Sequence, residues 1–244
     1  MRIRRVLGPT ALLAVMALAA CATPRGTAAS VAEPAITIDS PVEGATVAVP
    51  FIASGTADTF EATLTIDAID ESGFTLCVRH LTATSGSGTR GTWEGMLAFP
   101  PEEDPLPVRL RAYAHSAVDG AMIDLVERSI TVPVDRPDII LTSPRCGDVY
   151  PVGTSIQILG TANLFEASLI VELRNSSGVA VVTLPVTAEE CCVESNFSSM
   201  LTVPADLPAG FYDFVAYSLS PATGAQENVF TVQIEVRGPF EVTG

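Results

Sequence analysis

The strongest constraint on this chain is that it repeats itself. Gly55-Thr56-Ala57-Asp58-Thr59-Phe60-Glu61-Ala62-Thr63-Leu64 aligns with Gly160-Thr161-Ala162-Asn163-Leu164-Phe165-Glu166-Ala167-Ser168-Leu169, and seven of the ten positions are identical. At ordinary residue usage one position agrees by chance about once in fifteen, so coincidence is remote. The register extends both ways. Ile38-Asp39-Ser40-Pro41 matches Leu141-Thr142-Ser143-Pro144, and Asp70-Glu71-Ser72-Gly73 matches Asn175-Ser176-Ser177-Gly178. Trp93 matches Phe197, Met96–Pro100 matches Met200–Pro204, and Ala112-Tyr113 matches Ala216-Tyr217. The offset drifts only from 103 to 105 residues, which confines insertions to loops. The repeat divides the 244 residues into two units, 34–135 and 136–238, with a tail at 239–244. The break falls between Pro133 and Pro137, and so short a linker implies that the units stack with restricted freedom.

Each unit reads as β structure. Ala62, Leu64, Ile66 and Ala68 alternate with Thr63, Thr65 and Asp67, the period of a strand with one buried face. The second unit repeats this with Ala167, Leu169, Val171 and Leu173, broken only at Ile170. Both strands run into a polar turn ending in Gly73 or Gly178 and then into a further β-rich segment, a hairpin signal. Further strands are expected near Thr92–Phe99, Val108–Ala114 and Leu125–Val134, with counterparts in the second unit. About seven short strands per hundred residues predict an all-β fold of two tandem immunoglobulin-like sandwiches. Trp93 is expected in the first core, and Tyr113 and Tyr217 are candidates for the tyrosine corner of such sandwiches.

The first residues carry a different instruction. Met1-Arg2-Ile3-Arg4-Arg5 is a cationic start, and an apolar stretch from Val6 to Ala20 follows it. That is the layout of a secretory signal, too short for a comfortable membrane span. The cleavage region Leu18-Ala19-Ala20-Cys21 resembles the lipobox of bacterial lipoproteins. The resemblance implies that residues 1–20 are a signal peptide, that Cys21 is the lipidation site, and that the protein sits on the outer face of the bacterial cell membrane. Residues 21–33 are small and polar and read as a flexible tether.

Charge narrows the partners. The net charge is −15, and all 13 basic residues are arginine. Loss of Arg2, Arg4 and Arg5 would take the net charge to −18. An acidic surface excludes nucleic acid as a partner and offers anionic lipid headgroups no attraction. The absence of lysine removes Schiff-base chemistry and a phosphate-loop lysine.

The repeated pattern is similar to a known family. Ser-Pro near the start of each unit, Gly-Thr-Ala, Phe-Glu-Ala, a turn glycine and a late tyrosine-bearing strand resemble the immunoglobulin-like domain associated with bacterial sporulation and spore-germination proteins, the Gmad type. The resemblance covers about 34–237. It implies an exported or lipid-anchored envelope protein that mediates interaction and carries out no catalysis.

Candidate chemistry is sparse. Phe60, Glu61, Phe165 and Glu166 recur in the repeat; the two carboxylates either form ligand contacts or fix a sandwich corner by accepting hydrogen bonds or pairing with an arginine. His80 and His115 show no metal-ligand spacing, and no Gly-x-Ser-x-Gly elbow is present. Glu102-Glu103-Asp104 reads as a solvated loop more readily than as a calcium site. No catalytic residue, metal site or cofactor is expected. With Cys21 lipidated, Cys77, Cys146, Cys191 and Cys192 remain, an even count that suggests disulfides in an exported protein. Three full pairings exist: one leaves Cys191 and Cys192 as a vicinal bond, and the other two tie Cys77 in the first unit to Cys191 or Cys192 in the second. The favoured reading is a single bond from Cys146 to Cys191 or Cys192, with the remaining thiols free, since both ends then lie in one unit. The expected function is a non-catalytic binding module of the cell envelope, facing an envelope protein or wall polymer, with the membrane engaged through the N-terminal lipid. A passive spacer and a hydrolase with a loop-borne site are the alternatives.

Overall fold

A computed structural model describes residues 33–238. The signal segment 1–20, Cys21, most of the tether and the tail 239–244 lie outside the described residues.

The first domain contains β1 (Phe51–Ala57), β2 (Thr63–Asp70), β3 (Thr75–Thr82), β4 (Gly91–Leu97), β5 (Leu106–His115) and β6 (Met122–Val132). The second contains β7 (Ile139–Ser143), β8 (Val149–Pro151), β9 (Ser155–Ala162), β10 (Ser168–Arg174), β11 (Ala180–Thr187), β12 (Ser195–Thr202), β13 (Gly210–Leu219) and β14 (Gln226–Arg237). The only helical elements among the described residues are two 3-10 turns, Phe60–Ala62 and Phe165–Ala167. One sheet of each domain runs β3-β2-β5-β6 or β11-β10-β13-β14-β8, and the facing sheet is β1-β4 or β12-β9-β7. In the first domain, isolated bridges at Ile36, Ser40 and Thr46 stand where the second has β7 and β8.

The alternating side chains form two cores. Ile36, Leu64, Ile66, Trp93, Leu97 and Leu110 are buried in the first, and Ile140, Leu169, Val171, Phe197, Phe214 and Phe230 in the second. The repeated Gly-Thr-Ala has a packing cause. Gly55 pairs directly opposite Trp93, and Gly160 opposite Phe197. A Cβ on Gly55 would stand 2.0 Å from the Thr37 carbonyl oxygen, and one on Gly160 would stand 2.1 Å from that of Ile140 and 2.4 Å from the Phe197 ring. The missing side chain leaves the gap that the aromatic ring fills.

The hairpin turns are also duplicated. The Asp70 carboxylate accepts hydrogen bonds from the Ser72 and Phe74 amides, and Asn175 Oδ1 accepts from Ser177 and Val179. The Ser72 hydroxyl, which donates to Asp70 at 2.6 Å, and then these amides hold the Asp70 carboxyl below its ordinary value.

Two sequence expectations require correction here. Tyr113 and Tyr217 do not form tyrosine corners, because their hydroxyls donate to carboxylates on a neighbouring strand, Asp67 and Glu172. Tyr212 forms such a bond instead, donating to the Pro208 carbonyl at 2.8 Å. The disulfide expected between Cys146 and Cys191 or Cys192 is not made. Cys146 is bonded to Cys77 of the first domain, and Cys191 and Cys192 are exposed free thiols. The physical reason is placement: Cys146 lies in the β7–β8 turn that meets β3, whereas Cys191 and Cys192 lie in the β11–β12 loop, whose Cys192 amide bonds Leu164 beside β9.

Candidate functional site

The repeat residues Phe60, Glu61, Phe165 and Glu166 fall in the two 3-10 turns. Glu61, Ala62, Glu166 and Ala167 all adopt left-handed backbone, with φ of 54°, 59°, 68° and 53°. Two successive non-glycine residues in that region are costly, and the cost is met by backbone hydrogen bonds. Ala62 and Ala167 donate to Thr59 and Leu164, and accept from Ala83 and Ala188. The carboxylates of Glu61 and Glu166 form none of these bonds, so the expectation that they fix the corner is corrected to the backbone. The phenyl rings of Phe60 and Phe165 point outward and are 66% and 74% exposed.

A second duplicated constellation was not visible in the sequence. Asp67, buried on β2, receives the Arg111 guanidinium through Nε at 2.8 Å and Nη2 at 2.6 Å, and the Tyr113 hydroxyl at 3.3 Å. In the second domain Glu172 receives Arg174 at 2.6 Å and the Tyr217 hydroxyl at 2.9 Å. The carboxylate and tyrosine correspond between domains; the arginine does not. It comes from β5 in one domain and from the carboxylate's own strand, β10, in the other. Burial, then the Asp67 charge, pushes the Tyr113 hydroxyl up to about 12. Each tyrosine hydroxyl thus ties its carboxylate to the neighbouring strand, β5 to β2 in the first domain and β13 to β10 in the second.

The most concentrated set of non-repeated contacts is the seam between the domains. Edge strand β3 runs across the outer face of the β8-β14-β13 sheet. Cys77 is bonded to Cys146. Val78 lies over Gly147, where a Cβ would come within 2.3 Å of its Cγ1. Arg79 donates to Asp213 at 2.6 Å. The Gln233 side-chain amide pairs with the His80 backbone, accepting from its N–H at 2.7 Å and donating to its carbonyl at 3.1 Å. The His80 ring stacks on Phe211 at 4.1 Å and meets the Thr65 hydroxyl at 3.2 Å. Arg79 has a 7% exposed side chain, and its Nε and Nη1 have no partner.

Two clefts flank this seam. One, of about 580 Å³, is lined by Phe74, Val78, Phe99, Glu102, Arg145 and Gly147 among others. The other, of about 500 Å³, is lined by residues including Arg79, Thr82, Asn175, Ser176, Gly210 and Phe211. Glu102 thus reaches the first cleft from the acidic loop, and His80 lies in the second. His115 bonds the Gly120 carbonyl, and among the described residues neither histidine is hydrogen-bonded to a serine or a carboxylate. Among the described residues, no group of three or more His, Cys, Asp or Glu is placed to hold a metal ion.

No curated protein matches the chain. Among solved structures, the chain is similar to the fibronectin(III)-like modules of Clostridium thermocellum CbhA at 16% identity, covering 83% of this chain and 94% of that one, with a TM-score of 0.29. It is also similar to the ICAM-5 D1–D4 ectodomain fragment at 13% identity, covering 83% and 53%, with a TM-score of 0.29. The family model described as the immunoglobulin-like domain of bacterial spore germination matches residues 35–121 and again 138–225. The chain belongs to that family and carries its domain twice.

Proposed function

We propose that this protein is a lipid-anchored component of the bacterial envelope, and that its two domains act as one non-catalytic binding body. The observation that carries the reading is the seam. A disulfide, an ion pair and a side-chain amide join the domains along one strand, and a cleft of ligand size lies on each side of it. A disulfide between domains also supports an oxidising, extracytoplasmic location, in keeping with a signal segment and lipidation at Cys21. The fixed geometry favours a partner that spans both domains, either an envelope protein or a wall polymer.

Photo-reactive residues placed at Phe74 and Ser176, one per cleft, test the reading in intact cells. A reproducible adduct from either position, identified by mass spectrometry, is the expected result. No adduct from either position would favour the passive spacer. Palmitate labelling that is present in the native chain and lost in Cys21→Ser tests the anchor separately.

A further inference from the structure

The duplicated fold contains its own control experiment. The β5–β6 and β13–β14 hairpins share one backbone: Gly120 and Gly224 both have φ of 72°, and Asp124 and Asn228 have φ of 55° and 57°. The Gly120 and Gly224 amides both donate at 2.8 Å, to Ser116 and Ser220. The side chains on this shared backbone differ. The second domain carries Ala222, Gln226, Glu227 and Val229; the first carries Val118, Met122, Ile123 and Leu125 at the same positions. Val118 is 96% exposed, and the other three are between 41% and 46% exposed. The backbone does not require apolar residues at this tip, because its copy does without most of them.

The position of the apolar copy indicates what covers it. In the first domain, β1 ends, β2 begins, β5 ends and β6 begins at one end of the sandwich. The 3-10 turn with exposed Phe60 is at that end. So is the point where the chain enters: Ile36 bridges Ala57, and the Asp58 amide donates to the Ala35 carbonyl. Residues 22–34 separate Ala35 from Cys21, and thirteen residues span at most about 45 Å. The corresponding end of the second domain receives the linker from the first domain in place of the tether.

We propose that the β5–β6 hairpin tip is a membrane-contact element that dips into the lipid surface holding the anchor; the proposal rests on lipidation at Cys21. Interfacial segments bury their apolar side chains about 5–10 Å into the headgroup boundary. Asp119, Asp124 and Glu127 surround the tip, so the contact is made by apolar burial without headgroup attraction, and a zwitterionic surface suits it better than an anionic one. The tether keeps the tip close to the bilayer, so a contact too weak to recruit a free protein suffices to orient an anchored one.

The test uses the full lipidated chain in phosphatidylcholine vesicles with brominated acyl chains. Val118→Trp and Ala222→Trp place a reporter on each tip, and the buried Trp93 is common to both. Quenching of the first reporter should exceed that of the second by roughly threefold or more, and Ile123→Asp should abolish the excess. Equal quenching in a chain that floats with the vesicles would overturn the hairpin contact and leave the anchor standing. A chain that does not float would overturn both. A Val118→Trp reporter shielded only on addition of an envelope protein fraction would overturn the lipid contact in favour of a protein one.

Discussion

Gly160 shows how much one missing side chain decides. Its place opposite Phe197 leaves a Cβ nowhere to go, since backbone oxygen lies on one side and an aromatic ring on the other. Gly160→Ala should lower unfolding stability by about 2–4 kcal/mol in a chemical denaturation experiment, because an immovable carbonyl offers no room for relaxation. The repeat made this glycine conspicuous in the sequence. Asp67 and Glu172 were not conspicuous, because a period-two strand predicts them on a solvent face. They are buried because each takes up an arginine and a tyrosine hydroxyl on that face. The cation comes from different strands in the two copies, so aligning the repeats could not reveal the cluster.

Strand pattern was legible at the level of the element, and strand environment was not. The alternation in β2 and β10, the turn glycines and the aromatic partners placed most strands close to where they lie. Nothing in the alternation distinguishes β3, an edge that another domain covers, from its counterpart β11. The difference lies in single residues. His80 presents the N–H that Gln233 accepts, and the equivalent position of β11 is Pro185, which has none. Proline on an exposed edge blocks strand addition. Pro185→Val should therefore promote concentration-dependent self-association, detected by sedimentation velocity, and leave the far-ultraviolet circular dichroism unchanged.

For the whole molecule, which cysteines pair across the domains is what the sequence could not decide. A bond within one unit suits independent sandwiches, but here β3 brings Cys77 against the second domain, where Cys146 bonds it. Cys146→Ser should cost about 2–4 kcal/mol of unfolding stability and loosen the pair, read as a larger radius of gyration by small-angle scattering. The seam is also expected to respond to pH. Burial, with the charge of His115 added, holds His80 below its ordinary value of 6.5, and Glu235 opposes this only in part. The folded state therefore favours the neutral ring. The stability this contributes is complete above 6.5 and declines as the pH falls below that value towards the depressed folded value. Unfolding midpoints measured between about pH 7.5 and pH 5 should fall, and His80→Asn should flatten that slope.

The pairing of Gln233 with His80 has a consequence for portability. A single amide from a neighbour stands in for the strand that β3 lacks, so the second domain covers the edge of the first, whereas the corresponding edge of the second carries Pro185. Residues 136–238 expressed alone should remain monomeric, whereas 34–135 alone should polymerise through β3. Shuffling could transplant the second domain into new proteins, while the first can travel only with its companion.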